Sequence, residues 1–260
     1  MRSNNSGLTG AWWWAMALVF TISSCVPIKR QVYLQHGESE AKQEYRVSQD
    51  NLYRLKPGNN LHIKVFGIDS DVNDYFNLGY GAASNYYHDA AVYLNSYSVD
   101  DSGKVELPFI GNISVTGLTL KEAKEKIQRE IDQYLLNTIV IVRLVNYNVT
   151  VVGEVARPGQ YKIYQDQVSI FEVLGMAGDL TTYANRDEVV LVRKTEYGSK
   201  MHRINLLEHN MLESEFYYLM PDDMVYISPV RGKNFAFQTF PYALVISSIS
   251  LIIGLFALFN

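Results

Sequence analysis

Residues 148–180, NVTVVGEVARPGQYKIYQDQVSIFEVLGMAGDL, decide the fold. Val149, Val151, Val152 and Val155 form a β-branched run that reaches Arg157-Pro158-Gly159. Proline in the second turn position with glycine in the third is the pattern of a type II turn, so the chain is expected to double back there. Residues 160–164 then supply the partner strand of a hairpin. Ser169 followed by Glu172 is a capping box, and Ile170, Val173, Leu174 and Ala177 make one helical face that stops at Gly178. Beyond it, residues 188–193, 200–205 and 223–228 read as further strands. A hairpin, then a helix, then more strands is a β-grasp-like order.

Upstream lies a second unit. Pro57-Gly58 marks a turn before a strand at 61–66, LHIKVF, and two short strands at 103–108 and 112–115 flank Pro108 and Gly111. Thr119 and Glu122 form another capping box, opening a helix whose apolar face carries Leu120, Ala123, Ile127, Ile131, Tyr134 and Leu135. The run at 139–145, IVIVRLV, is nearly continuous in apolar residues and predicts a buried strand.

Both ends of the chain carry membrane signals. Residues 235–260 contain no charged side chain, and 241–259 read PYALVISSISLIIGLFALF. At about 1.5 Å per residue that run nearly matches a hydrocarbon core of roughly 30 Å, which predicts a C-terminal transmembrane helix behind Arg231 and Lys233. On a helical wheel Thr239, Ala243, Ser247, Ser250, Gly254 and Ala257 fall on one stripe of small residues. The stripe either lines a lumen or packs helices closely, and a simple anchor is a third reading. At the front, Arg2 precedes an apolar stretch over 11–22 and then Ser23-Ser24-Cys25, the order of a secretory leader. Cys25 is the sole cysteine, which excludes an intramolecular disulfide. Its place after two serines resembles a bacterial lipobox, so lipidation at Cys25 is expected, with an ordinary leader and an incidental cysteine as the alternative. Val26 and Pro27 follow without an aspartate that would retain the protein in the inner membrane, which points to the outer one.

Composition narrows the function. The formal net charge is −4 and no basic run occurs, which argues against nucleic acid as a partner. His36, His62, His88, His202 and His209 show no metal-ligand spacing, so no metal or cofactor is expected. There is no GxSxG, and Gly79-Tyr80-Gly81 lacks the spacing of a dinucleotide loop. No catalytic constellation is visible. The irregular interval is 67–99, with Tyr75, Tyr80, Tyr86, Tyr87, Tyr93 and Tyr97 among Asn, Asp and Ser. Aromatic rings with hydroxyls suit subunit contacts and sugar faces alike, and an inert surface loop is the plain alternative. The turn set Gly153, Glu154, Arg157, Pro158 and Gly159 either faces a neighbouring subunit or carries a solvated charge pair.

Tyr53-Arg54-Leu55-Lys56-Pro57-Gly58, the strand after it, Gly103, Pro108, Ile110, Gly111 and Gly117-Leu118-Thr119 resemble the polysaccharide export domain of the Wza-like outer-membrane export lipoproteins (OPX family). Val151-Val152-Gly153-Glu154-Val155, Arg157-Pro158-Gly159 and Ala177-Gly178-Asp179-Leu180 resemble the soluble-ligand-binding β-grasp (SLBB) repeat of that family. The resemblance implies an α+β chain: a leader at 1–24, a lipidated tether at 25–50, an export domain at 51–147, one β-grasp domain at 148–229 and a membrane helix at 235–260. It also implies a homo-oligomeric ring that passes capsular or extracellular polysaccharide and is not an enzyme. An inner-membrane copolymerase or tyrosine kinase would be its partner. Two departures stand out: a single SLBB repeat, and a tail more apolar than the amphipathic helix of such barrels. A doubly anchored scaffold or ligand-binding lipoprotein without a pore is the competing function.

Overall fold

The computed structural model of the chain describes residues 31–35, 44–46, 52–67, 89–230 and 242–258. In the first unit the elements are β1 (Asn60–Phe66), α1 (Asp89–Leu94), β2 (Tyr97–Ser98), β3 (Lys104–Leu107), β4 (Gly111–Ser114), α2 (Leu120–Ile131) and β5 (Ile139–Leu144). The second holds β6 (Asn148–Gly153), β7 (Gly159–Lys162), β8 (Val168–Ser169), α3 (Ile170–Met176), β9 (Ala184–Thr195), β10 (Gly198–Ile204), β11 (Tyr218–Leu219) and β12 (Met224–Pro229). A last helix, α4, covers Tyr242–Leu258.

Alternation decides the first unit. Leu61, Ile63 and Val65 point inward from β1, which pairs antiparallel with β5 from Leu61↔Leu144 to Phe66↔Ile139 and with β2 at Leu61↔Tyr97. The α2 stripe Ala123, Ile127 and Ile131 is fully buried against this three-stranded sheet. The Thr119 hydroxyl accepts from the Glu122 amide at 3.2 Å, and the Glu122 carboxylate accepts from the Thr119 amide at 2.7 Å, completing the expected box. The helix ends at Ile131, one turn earlier than the apolar face implied, so Tyr134 lies beyond it with 63 % of its surface exposed. Gln128 ties the helix end to β5, its Oε1 accepting from the Val140 amide at 2.8 Å and its Nε2 donating to the Thr138 carbonyl at 3.0 Å.

β5 departs from the expected strand buried on both faces. Val140 and Val142 are buried, but Ile139 is 64 % exposed. An antiparallel sheet packed by one helix buries one face only, and an apolar run does not reveal this.

The second unit is a β-grasp. Its five-stranded sheet runs β10-β9-β12-β6-β7, with β6 and β12, the first and last of the five in sequence, parallel at the centre. Ile170, Val173 and Leu174 of α3 pack into a core with Val149, Val151, Val189, Leu191, Val225 and Ile227. The turn reading needs correction. Gly159 is not left-handed; it belongs to β7 and pairs with Val151. The left-handed residue is Gly153, at φ +98°. The chain therefore leaves β6 at Gly153 and makes a wider loop to β7 than a two-residue type II turn allows.

α4 has 17 residues, about 25 Å of helix, and its described side chains are exposed throughout. Among the described residues no helix is long and apolar enough to cross a membrane. The transmembrane helix expected at 235–260 is therefore not shown: the described helix covers 242–258, about 5 Å short of a typical core, and 231–241 and 259–260 lie outside the described residues.

Candidate functional site

The two units meet at a cleft of about 530 Å³. The connection from β5 to β6 is only three residues, and Asn146 within it is locked to the first unit. Its Oδ1 accepts from the Asn60 amide and its Nδ2 donates to the Gly58 carbonyl, both at 3.1 Å. That lock brings the start of α2 and the end of β5 against residues 164–167, which join β7 to β8.

The floor of the cleft is apolar and aromatic: Leu55, Leu144, Tyr53 and Tyr147. Tyr53 donates to Asn59 Oδ1 at 2.9 Å, and that oxygen also accepts from the Lys56 amide at 2.8 Å. Tyr147 is 4 % exposed and donates to the Leu219 carbonyl. Burial pushes the hydroxyls of both tyrosines above the ordinary tyrosine range, so both remain neutral donors at any physiological pH. The rim is polar. Arg143 Nη1 donates to both oxygens of Asp166, at 3.0 and 3.2 Å, joining the units across the mouth. Gln165, Gln167 and Lys121 complete it, and Tyr164 stands at its edge with 82 % of its surface exposed.

The residues singled out in the sequence fall elsewhere. Cys25, Tyr75, Tyr80, Tyr86, Tyr87 and Thr239 lie outside the described residues. Tyr93 is exposed on α1, whereas Tyr97 is 8 % exposed and belongs to the first core, so it offers no free contact surface. Ala243, Ser247, Ser250, Gly254 and Ala257 do share one face of α4. The Ser247 hydroxyl donates to the Leu244 carbonyl at 2.9 Å, turning it back onto the helix. Glu154 and Arg157 latch the end of α3 and the loop after it: Arg157 donates to the Met176 carbonyl at 3.0 Å and Glu154 accepts from the Thr181 hydroxyl at 2.8 Å. Each is thus bonded to a residue of its own chain.

Among the described residues no group of three histidine, cysteine, aspartate or glutamate side chains is placed to hold a metal. His62, His202 and His209 sit apart, in β1, in β10 and in the 3-10 turn His209–Glu213.

Two arrangements had no sequence signal. Tyr33 donates to Asp179, lies under the Arg186 guanidinium at 5.4 Å and meets Phe171 edge-on, so residues 31–35 are clamped onto the β-grasp unit. Burial first, and the bond to Asp179 second, raise the Tyr33 hydroxyl well above its ordinary range. Arg193 grips fully buried Asp223 through Nε at 3.0 Å and Nη2 at 2.7 Å. Both join residues far apart in sequence, and only the folded sheet makes them neighbours.

Comparison with known proteins agrees with this architecture. A family model described as polysaccharide biosynthesis/export protein matches residues 39–145, and one for the SLBB domain matches 148–205. β12, which completes the β-grasp sheet, lies past the second match. The EPS I polysaccharide export outer membrane protein EpsA of Ralstonia solanacearum is 26 % identical over 183 residues, covering 68 % of this chain and 48 % of that protein. Its namesake in Ralstonia nicotianae is 33 % identical over 104 residues, 38 % of this chain and 27 % of that one. The chain thus spans half or less of the length of these relatives. The two family models together cover well over half of the chain and coincide with its two cores, and the chain belongs to the polysaccharide biosynthesis/export family, with one SLBB domain after its export domain.

Proposed function

We propose that this chain is a non-enzymatic outer-membrane lipoprotein whose copies close into a ring that passes capsular or extracellular polysaccharide. The observation that carries the reading is one of order: an export unit, a β-grasp unit joined to it by three residues, and an uncharged helix at 242–258. The names of both relatives, polysaccharide export outer membrane proteins, support the membrane and the cargo.

The helix supports membrane insertion despite its length. Its roughly 25 Å is close to the apolar band of about 25 Å found on outer-membrane barrels, and that membrane is thinner than average. Serine hydroxyls bonded to the carbonyl of Leu244 need no water, as a lipid-facing or tightly packed helix requires. Cys25, acylated after removal of 1–24, adds the second anchor that stable attachment takes.

Function in this reading is passage. Lumen width and lining select the chain that passes, the small-residue stripe lines the lumen or packs one helix on the next, and an inner-membrane copolymerase or tyrosine kinase feeds the ring from below. Complementation tests it. A strain lacking this gene should regain surface polysaccharide with the full chain and fail with a chain truncated before Tyr242. Normal surface polysaccharide from the truncated chain would favour a pore-free scaffold instead.

A further inference from the structure

Resting on the export reading, we propose that the cleft between the export and β-grasp units is a binding site for a short run of sugar residues of the exported polymer. Pyranose rings present two surfaces: a face of C–H groups and an edge of hydroxyls. A site for them needs an aromatic ring to take the face and flat, bidentate polar groups to take the edge. The cleft supplies both. Tyr164 stands at the rim, largely exposed beside a floor of Tyr53 and Leu144. Around it Arg143 and Asp166 offer a fork of donors and a fork of acceptors, and the amides of Gln165 and Gln167 offer one of each.

The size and charge of the cleft fit the same occupant. About 530 Å³ lies inside the roughly 300–1,000 Å³ range of small-ligand sites, which favour such junctions between units. Arg143 and Asp166 offset one another, leaving Lys121 as the net charge of the lining, so the site favours a hydroxyl-rich chain over a strongly ionic ligand. A purely apolar ligand would take water from the polar rim without bonding to it, at a cost in affinity. Because the cleft is built from both units, a bound sugar would also hold them in one relative orientation.

The test uses the full chain in detergent micelles. The probe is a set of short oligosaccharides made by partial hydrolysis of the polysaccharide secreted by the cells to which the chain is native. Calorimetric titration should give saturable binding, weakened on the order of tenfold in Tyr164→Ala, the loss expected for an aromatic anchor. Asp166→Asn should weaken it as well, while Tyr197→Ala, at the exposed β9–β10 turn, should leave it unchanged. All three positions are exposed, so the variants should fold, which their melting curves check. No binding by the full chain, or binding indifferent to Tyr164→Ala, overturns the proposal. Restored surface polysaccharide with the full chain alongside that failure would leave the export reading standing and remove only the cleft.

Discussion

Gly153 lies against the backbone of Ile227 so closely that a Cβ on it would sit 2.0 Å from the Ile227 carbonyl oxygen. The contact joins β6 to β12, the parallel pair at the centre of the β-grasp sheet. Its left-handed φ of +98° adds a second reason for glycine there.

Gly153→Ala is therefore expected to destabilise the chain by about 3 kcal/mol or more, through backbone strain and overpacking together. Gly159→Ala, in extended backbone with open space at its Cβ, should cost under about 1 kcal/mol. Urea unfolding of the two variants compares them directly. Equal losses would mean that the tight turn at Pro158-Gly159, and not the sheet centre, sets the demand for glycine.

Two ion pairs, Arg193–Asp223 buried in the second unit and Arg143–Asp166 exposed between the units, should differ in weight. Asp223 is fully buried and also accepts from the Met220 amide at 2.7 Å, so Asp223→Ala strands the Arg193 guanidinium and should cost about 3–5 kcal/mol. Asp166→Ala removes the exposed bond to Arg143 and should cost under about 1 kcal/mol. Thermal melts of both variants decide it, and a mild effect at Asp223 would contradict the buried geometry.

Acid should loosen the start of α2. The Thr119 amide, then the Thr119 hydroxyl, donate to Glu122 and hold its carboxyl below the ordinary value of 4.5. A carboxyl whose folded value is depressed contributes fully above its unfolded value, and the contribution fades as pH falls through the folded one. The melting temperature of the native chain should exceed that of Glu122→Gln at neutral pH, with the gap closing below about pH 4.5. A gap that is constant with pH would remove the charge from the account.

Much of this architecture was legible because local chemistry and tertiary packing agree. Thr119 with Glu122 and Ser169 with Glu172 announce two helices, and both boxes are present in the fold. The valine run of β6 and the order of elements after it point to the β-grasp sheet. Where reading failed, a partner outside the local window had the deciding vote. Ile139 and Val140 look alike in sequence, yet only one faces α2. Gly153 looks like an ordinary strand glycine until Ile227, 74 positions away, closes against it. The cleft was hidden for the same reason: Tyr53, Arg143 and Asp166 come from three distant segments, and no short motif unites them.

Attachment at the amino end can be tested without a structure. Cells grown with labelled palmitate should label the full chain and leave Cys25→Ser unlabelled, with export reduced. Labelling that persists in Cys25→Ser would place the lipid elsewhere.

The central claim is that many copies surround one passage. Imaging of particles extracted from native envelopes tests this most directly. The account predicts closed rings with rotational symmetry, an axial lumen, and one α4 helix from each copy gathered at the membrane end. Single copies, or particles in which α4 folds back against the export and β-grasp units, would contradict it.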